Sequence, residues 1–290
     1  MGMPGTNAHR VLPGLPAPDE ARVAQLSPEA VSDGFGEDAR KRIAALADRV
    51  RAEMRSGELT EALAVIHHLR AGLESLNPAD LEPRKGLGGL FDSRKRRLKA
   101  FRDRFAEVTR TLAESLDDLQ VRVGAVNRRS GVLEQLWTDI RHGVLEMDDF
   151  VAACLRKVAP VQTTEPGAQP VLHPVHQRGH RLADARDAGV RLLPQVRVGQ
   201  NADGQAARRL KMACDAMIEW HHEWADNLGV RALGVKGPKK PKKVAPDQAR
   251  LTTSRQTVLA MLDAAAREVE IARQRRVEAD GRIEAARKAI

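Results

Sequence analysis

The sequence predicts an all-α protein: long antiparallel helices in a coiled-coil-like bundle, with a shorter helical hairpin near the N-terminus. Three observations carry this. Charged residues make up 30% of the chain and aromatics only 3%, with no tyrosine, which is the composition of long helices rather than of β-sandwiches. Apolar side chains recur every three or four residues over long stretches, the period of one helical face. Pro and Gly gather in a few short segments, so the periodic stretches between them run uninterrupted.

Taken in order, residues 1–36 have no period and carry Pro4, Pro13, Pro16, Pro18 and Pro28, which predicts a disordered tail. Residues 37–81 read as a hairpin. Ile43, Leu46, Val50 and Met54 line one helix, Ser56-Gly57 turns the chain, and Leu63, Ile66, Leu69 and Leu73 line the second before Asn77-Pro78. A Gly-rich hinge over 82–92 opens a long-helix bundle extending to 228. Its clearest stripe is Leu98, Phe101, Phe105, Val108, Leu112, Leu116, Leu119, Val123 and Val126, where two successive steps of four resemble a stutter in a heptad seam. So narrow a stripe requires a partner helix. Ser130-Gly131 is expected to break the helix, and Leu133, Trp137, Ile140, Val144, Met147, Val151, Cys154 and Val158 restart the pattern on the antiparallel return. A loop is expected over 160–175, a helix near 178–193 stopping before Pro194, an irregular stretch over 195–204, and a helix over 205–228 carrying Leu210, Met217, Trp220 and Trp224. Residues 229–246 form a basic Lys/Pro linker, and 247–290 a long, highly charged C-terminal helix.

The net charge of +9 suits nucleic acid, anionic lipid or an acidic protein without choosing among them. Lys and Arg alternate with Asp and Glu along most helices, as solvated helix faces require, and that plainer reading is preferred. Cys154 and Cys214 both sit inside apolar helical patterns and read as small buried hydrophobes rather than a redox pair. No apolar run approaches the roughly 20 residues of a membrane span. The Pro/Gly-rich start lacks the apolar segment of a signal peptide, so a cytoplasmic location is expected.

A search for chemistry returns little. His173, His176 and His180 form the densest histidine group, at a spacing that can bring imidazoles together around zinc or nickel. With no Cys nearby and a loop-like setting, they are weak metal candidates, and ordinary surface histidines are preferred. His221-His222-Glu223 superficially resembles a zinc-protease helix, but Ala225 and Asp226 occupy the places where the second histidine belongs. No Gly-x-Ser-x-Gly is present, and neither Cys has the context of a nucleophile. Gly86 to Gly89 lies beside Arg84 and Lys85 without the fixed Lys-Ser/Thr of a P-loop, and no strand precedes it. Arg94 to Arg97 at a helix start is favourable for an anion in principle, though a solvated turn is preferred. Lys239, Lys240, Lys242 and Lys243 are the other basic run, a candidate for weak polyanion contact without the stacking aromatics of single-strand binders.

Two segments together carry a resemblance. The first is Leu76-Asn77-Pro78, then Gly86-Leu87-Gly88-Gly89-Leu90-Phe91 and the helix over 98–119 with Phe101, Phe105 and Leu112. The second is Leu193-Pro194-Gln195-Val196-Arg197-Val198-Gly199-Gln200-Asn201, followed by Met217-Ile218-Glu219-Trp220. In order and spacing these resemble the TelA (KlaA-like) family of toxic-anion, or tellurite, resistance proteins over roughly residues 60–285. The chain has Glu219 where the family pattern has proline, as in a divergent member. The resemblance implies a cytoplasmic, helical, coiled-coil-like protein linked to tellurite resistance or cell-envelope stress. It carries over no catalytic residue. By position it singles out Pro194, Gln195, Arg197, Gln200, Asn201 and Trp220 for contact with an anion or a partner. Arg197, Gln200 and Asn201 are expected in a polar loop just before a helix N-terminus, where backbone and side-chain donors converge. Capping and stitching of the bundle is the preferred role for each alone.

The expectation is therefore a non-enzymatic scaffold or interaction protein with no cofactor and an unidentified protein partner. Nucleic-acid contact is expected to be weak, and peripheral membrane contact and oligomeric state are left open. The rival readings are a polyanion-binding accessory protein using the lysine run and a metal-dependent enzyme using His173, His176 and His180. Tellurite reduction is not expected, since it needs accessible thiols or a redox cofactor.

Overall fold

A computed structural model describes residues 14–28, 34–82, 93–159, 161–162, 171–231 and 245–290. The helices are α1 (Glu20–Gln25), α2 (Glu37–Met54), α3 (Glu58–Ser75), α4 (Arg94–Lys157), α5 (Pro174–Leu228) and α6 (Gln248–Ala289), with a 3-10 turn at Pro78–Leu81. The fold is all-α, as the periodicity predicts. The exception is a minimal antiparallel pairing inside the expected 160–175 loop, where Val161 lies opposite Leu172 and Gln162 opposite Val171.

Within the segment expected to be a tail, α1 is ordered by contacts that local pattern does not reveal. The Asp19 carboxylate accepts from the Ala21 and Arg22 amides at 3.0 and 3.3 Å, capping the helix, while its own amide donates to Asp149 Oδ1 at 2.9 Å. Val23 is buried, and Lys157 Nζ donates to the Ala24 carbonyl at 2.7 Å. Six residues are too few to hold a helix alone, so docking does it.

The expected breaks at Ser130-Gly131 and Pro194 are absent. Helix α4 runs 64 residues and α5 runs 55, with Pro194 inside it. Apolar burial continues across both points, through Val126, Leu133 and Leu136 on α4 and through Leu192, Val196 and Ala202 on α5. Pro194 is exposed. On a solvent-facing side, water satisfies the carbonyl that a proline leaves unpaired. Helix α5 does end at the expected glycine: Gly229 takes φ +65°, and the Val230 amide reaches back to the Ala225 carbonyl at 2.9 Å.

Gly131 gives a direct check on the continuous helix. It is exposed, and a Cβ placed there meets nothing within 4 Å. Gly131→Ala is therefore expected to stabilise the protein by about 0.8–1 kcal/mol, the helix-interior advantage of Ala over Gly. Denaturant unfolding measures it, and a loss of stability would mean that residue 131 sits in a turn.

The chain forms two compact units. Unit 1 comprises the described parts of Met1–Ser56, Gly131–Gln200 and Arg275–Ile290; unit 2 comprises those of Gly57–Ser130 and Asn201–Gln274. The segments expected from chain order are thus redistributed: α2 belongs to unit 1, α3 to unit 2, and α4, α5 and α6 each supply residues to both. Each unit contains four long helical segments around its own core.

In unit 1, side-chain pairs between α4 and α5 run in opposite order along the two helices. Glu134 meets Arg197, Val144 faces Gly189, Asp148 meets Arg186, and His176 bonds the Val158 carbonyl. The helices are antiparallel. In unit 2, Arg122 pairs with Glu61 and Leu112 packs over Gly72, so α3 and α4 are antiparallel as well. Arg129, buried in unit 2, pairs with Glu58.

Candidate functional site

Among the described residues of unit 1, those singled out from the sequence do not form one cluster. Arg197 and Gln200 do meet, three residues apart on one face of α5 in unit 1, and both reach α4. Arg197 pairs through both terminal nitrogens with the Glu134 carboxylate, with Nη2 to Oε1 at 3.1 Å, and Nη1 donates to Gln200 Oε1 at 2.5 Å. Gln200 Nε2 closes the ring by donating to Glu134 Oε2 at 2.9 Å. The guanidinium also lies 4.2 Å from the centre of the Trp137 ring, an Arg–aromatic stack. Three side chains thus satisfy one another against an aromatic plate. Glu134 and Trp137, on the facing helix, are members that pattern reading did not select.

The Arg197 hydrogen bonds, followed by that from Gln200, pull the Glu134 carboxyl down to about 2. A carboxyl depressed in the folded state contributes stability above its unfolded pKa, and that contribution is lost as pH falls from the ordinary carboxylate range toward about 2. In a carbon-detected NMR titration Glu134 is expected to titrate near 2, and in Arg197→Met to return most of the way to the ordinary range. A normal midpoint in the wild type would mean that the pair does not persist in water. Glu134 and Arg197 are both partly exposed, at 49 and 37% for their side chains, so the pair adds little stability and mainly fixes orientation.

The other motif positions stand apart. Residues 195–204 are helical, so the expected polar loop before a helix N-terminus is not there. Converging orphan amides are absent with it, because amides in a helix interior are already paired. Pro194 and Asn201 are exposed, while Gln195 Oε1 is buried with no hydrogen-bond partner among the described residues. Trp220 belongs to unit 2, where its ring lies 5.9 Å from that of Phe105 and 5.1 Å from that of Trp224.

His173 and His176 make bonds at the start of α5. His173 Nδ1 accepts from the Val175 amide at 3.2 Å, His176 Nε2 bonds the Val158 carbonyl at 2.7 Å, and His180 is exposed. Among the described residues no group of three His, Cys, Asp or Glu side chains is placed to hold a metal ion. Lys239, Lys240, Lys242 and Lys243, and the Gly86–Gly89 hinge, lie outside the described residues. Cys154 and Cys214 are buried free thiols, each pushed up to about 11 by burial. Among the described residues no helix is long and apolar enough to cross a membrane.

Residues 24–214 match the family described as toxic anion resistance protein (TelA), which is well over half of the chain. The match includes the 193–201 motif with its Arg197–Gln200 pair, and Glu134 and Trp137 opposite it. It ends just before Met217-Ile218-Glu219-Trp220. No curated protein and no solved structure matches the chain. The ordered helices and the matched stretch lead to one conclusion: this chain belongs to the TelA family of toxic anion resistance proteins.

Proposed function

We propose that this protein serves toxic-anion resistance by binding rather than by turnover, as a non-enzymatic helical scaffold in the cytoplasm that engages a protein partner. The observation that carries the reading is the condition of the two thiols. Reduction of tellurite by the chain itself needs a reachable thiolate, and Cys154 and Cys214 are buried with pKa values near 11. At neutral pH roughly one such thiol in ten thousand is ionised, and its sulfur is shielded as well. The motif side chains support the same reading, since Arg197, Glu134 and Gln200 are engaged with one another across two helices.

The test is tellurite tolerance in cells that depend on this chain for protection. A Cys154→Ala/Cys214→Ala double variant, shown by thermal denaturation to remain folded, is expected to protect as well as the wild type. Purified wild-type protein is expected not to consume tellurite in the presence of a thiol reductant beyond the reductant alone. Protection lost with both cysteines in a folded variant, or steady consumption by pure protein, would overturn the proposal.

A further inference from the structure

Helix α1 lies against the C-terminal part of α4, and both belong to unit 1. The contact is polar along most of its length. The Asp19 amide donates to Asp149 Oδ1 at 2.9 Å, and Arg22 Nη2 donates to Glu146 Oε1 at 2.7 Å, with its Nε 3.5 Å from Asp149 Oδ2. Further along, Arg156 Nη1 donates to Glu20 Oε1 at 2.7 Å. Lys157 Nζ donates to the Ala24 and Leu26 carbonyls at 2.7 and 2.5 Å, at the end where helix carbonyls lack partners. Of the six residues of α1 only Val23 is buried, and it joins the apolar core of unit 1.

Thus α4 offers two carboxylates followed by two cations, and α1 answers with an amide and a guanidinium, then a carboxylate and carbonyls. This is how a groove reads a short helix: one apolar anchor and a row of complementary polar groups. What holds α1 there is slight. Six residues do not sustain a helix alone, and the ion pairs of the exposed Arg22, Arg156 and Glu20 side chains add little. A segment held so lightly opens far more readily than the core beneath it. When it leaves, Asp149, which is 5% exposed with α1 in place, loses both the amide and the guanidinium that it holds. Glu146, Asp149, Arg156 and Lys157 lie within the stretch that matches the family, whereas Asp19 to Val23 precede it.

We propose that the surface of α4 from Glu146 to Lys157 is a docking groove for a partner's short helix, and that α1 fills it in cis. The partner helix has the chemistry of α1: a free amide at its cap, an arginine three residues on, a small apolar anchor next to it and open carbonyls at its end. This rests on the reading of the protein as a partner-binding scaffold and names the surface and the partner's chemistry.

The probe is a fluorescent peptide with the sequence of residues 14–28, titrated into the full chain and read by anisotropy. Val23→Asp in the chain undocks α1 without touching the groove on α4. That variant is expected to bind the peptide about tenfold or more tightly than the wild type, whose groove is already occupied. The peptide carrying Arg22→Met is expected to bind about fivefold or more weakly, and adding Asp149→Asn to the chain is expected to cost a similar factor. Asp139→Asn, elsewhere on α4, is expected to change nothing. In wild-type hydrogen exchange, the Val23 and Leu26 amides, bonded to the Asp19 and Arg22 carbonyls, are expected to exchange much faster than those of residues 144–154. No binding to the Val23→Asp chain, equal binding to it and the wild type, indifference to Arg22→Met, or α1 amides as protected as those of α4 each overturns the proposal. Should Val23→Asp fail to fold, the wild-type exchange and the Arg22→Met comparison on the wild type still decide it. Failure of the peptide to bind sinks this inference alone, whereas tellurite consumption by the pure protein sinks the scaffold reading and leaves peptide binding as measured.

Discussion

Leu112→Asp is expected to destabilise unit 2 by about 4 kcal/mol or more, enough to unfold it or nearly so at ordinary temperature. Two costs combine. Removing a buried leucine forfeits its burial and leaves a cavity, about 2–5 kcal/mol in comparable leucine-to-alanine changes. The carboxylate then either stays charged in an apolar seam or takes up a proton to enter it, and both cost further free energy. Leu112 is 3% exposed, and α3 approaches so closely there that a Cβ on Gly72 would lie 2.5 Å from Leu112 Cδ2. On the side that faces α3 there is no slack into which an aspartate could turn. Leu112→Met, which conserves volume, is expected to cost under about 1.5 kcal/mol and serves as the control. Urea unfolding followed by circular dichroism reads both variants. An unchanged midpoint for Leu112→Asp would mean that this face of α4 is not covered.

The stripe to which Leu112 belongs was readable because helical burial writes itself into sequence at short range. Phe101, Phe105, Leu112, Leu119 and Val126 are all buried at the spacing that predicts it. The ends of helices were less readable. Ser130-Gly131 and Pro194 carry local signals for stopping, yet the apolar pattern continues past both, and tertiary burial outweighs about 1 kcal/mol of glycine propensity. At Pro194 the larger local penalty is borne on an exposed face. The order of α1 depends on Asp149 and Lys157, more than a hundred residues away, which no local pattern records.

The candidate site divides along the same line. That Arg197 and Gln200 share a face follows from their spacing. That Glu134 and Trp137 wait opposite them follows only from the antiparallel register of α4 and α5, which the expected break at Ser130-Gly131 and the expected stop before Pro194 left undetermined. Trp220 is singled out by its place in a motif, but its ring contact with Phe105 depends on how α4 and α5 meet in unit 2. Burial of an apolar stripe is a one-helix property, whereas a polar constellation is a property of register between helices.

Register is also what the buried pair Arg186–Asp148 reports in unit 1. Arg186 on α5 and Asp148 on α4 are 3 and 2% exposed, and Arg186 Nη1 donates to Asp148 Oδ1 at 2.5 Å. The same guanidinium holds Asp187 Oδ1 through Nε and Nη2 at 3.0 and 2.9 Å. Arg186→Met takes the guanidinium from a carboxylate that cannot easily reach water, and is expected to cost about 3–5 kcal/mol. Arg186→Lys keeps the charge but lacks the planar fork that serves both aspartates, so it is expected to recover only part of that loss. Arg186→Met/Asp148→Leu removes both charges at similar volume. It is expected to be far more stable than Arg186→Met alone and close to the wild type, since desolvating the pair cancels much of its attraction. The double-mutant cycle, read by denaturant unfolding, isolates the coupling from the packing of either side chain. A single-variant cost under about 1 kcal/mol, or a double variant no better than the single, would show that the pair is solvated and does not set the register. If the double variant is stable yet α4 and α5 slide by a turn, seen as loss of the Glu134 titration near 2, then the pair selects one alignment of the helices rather than strengthening it.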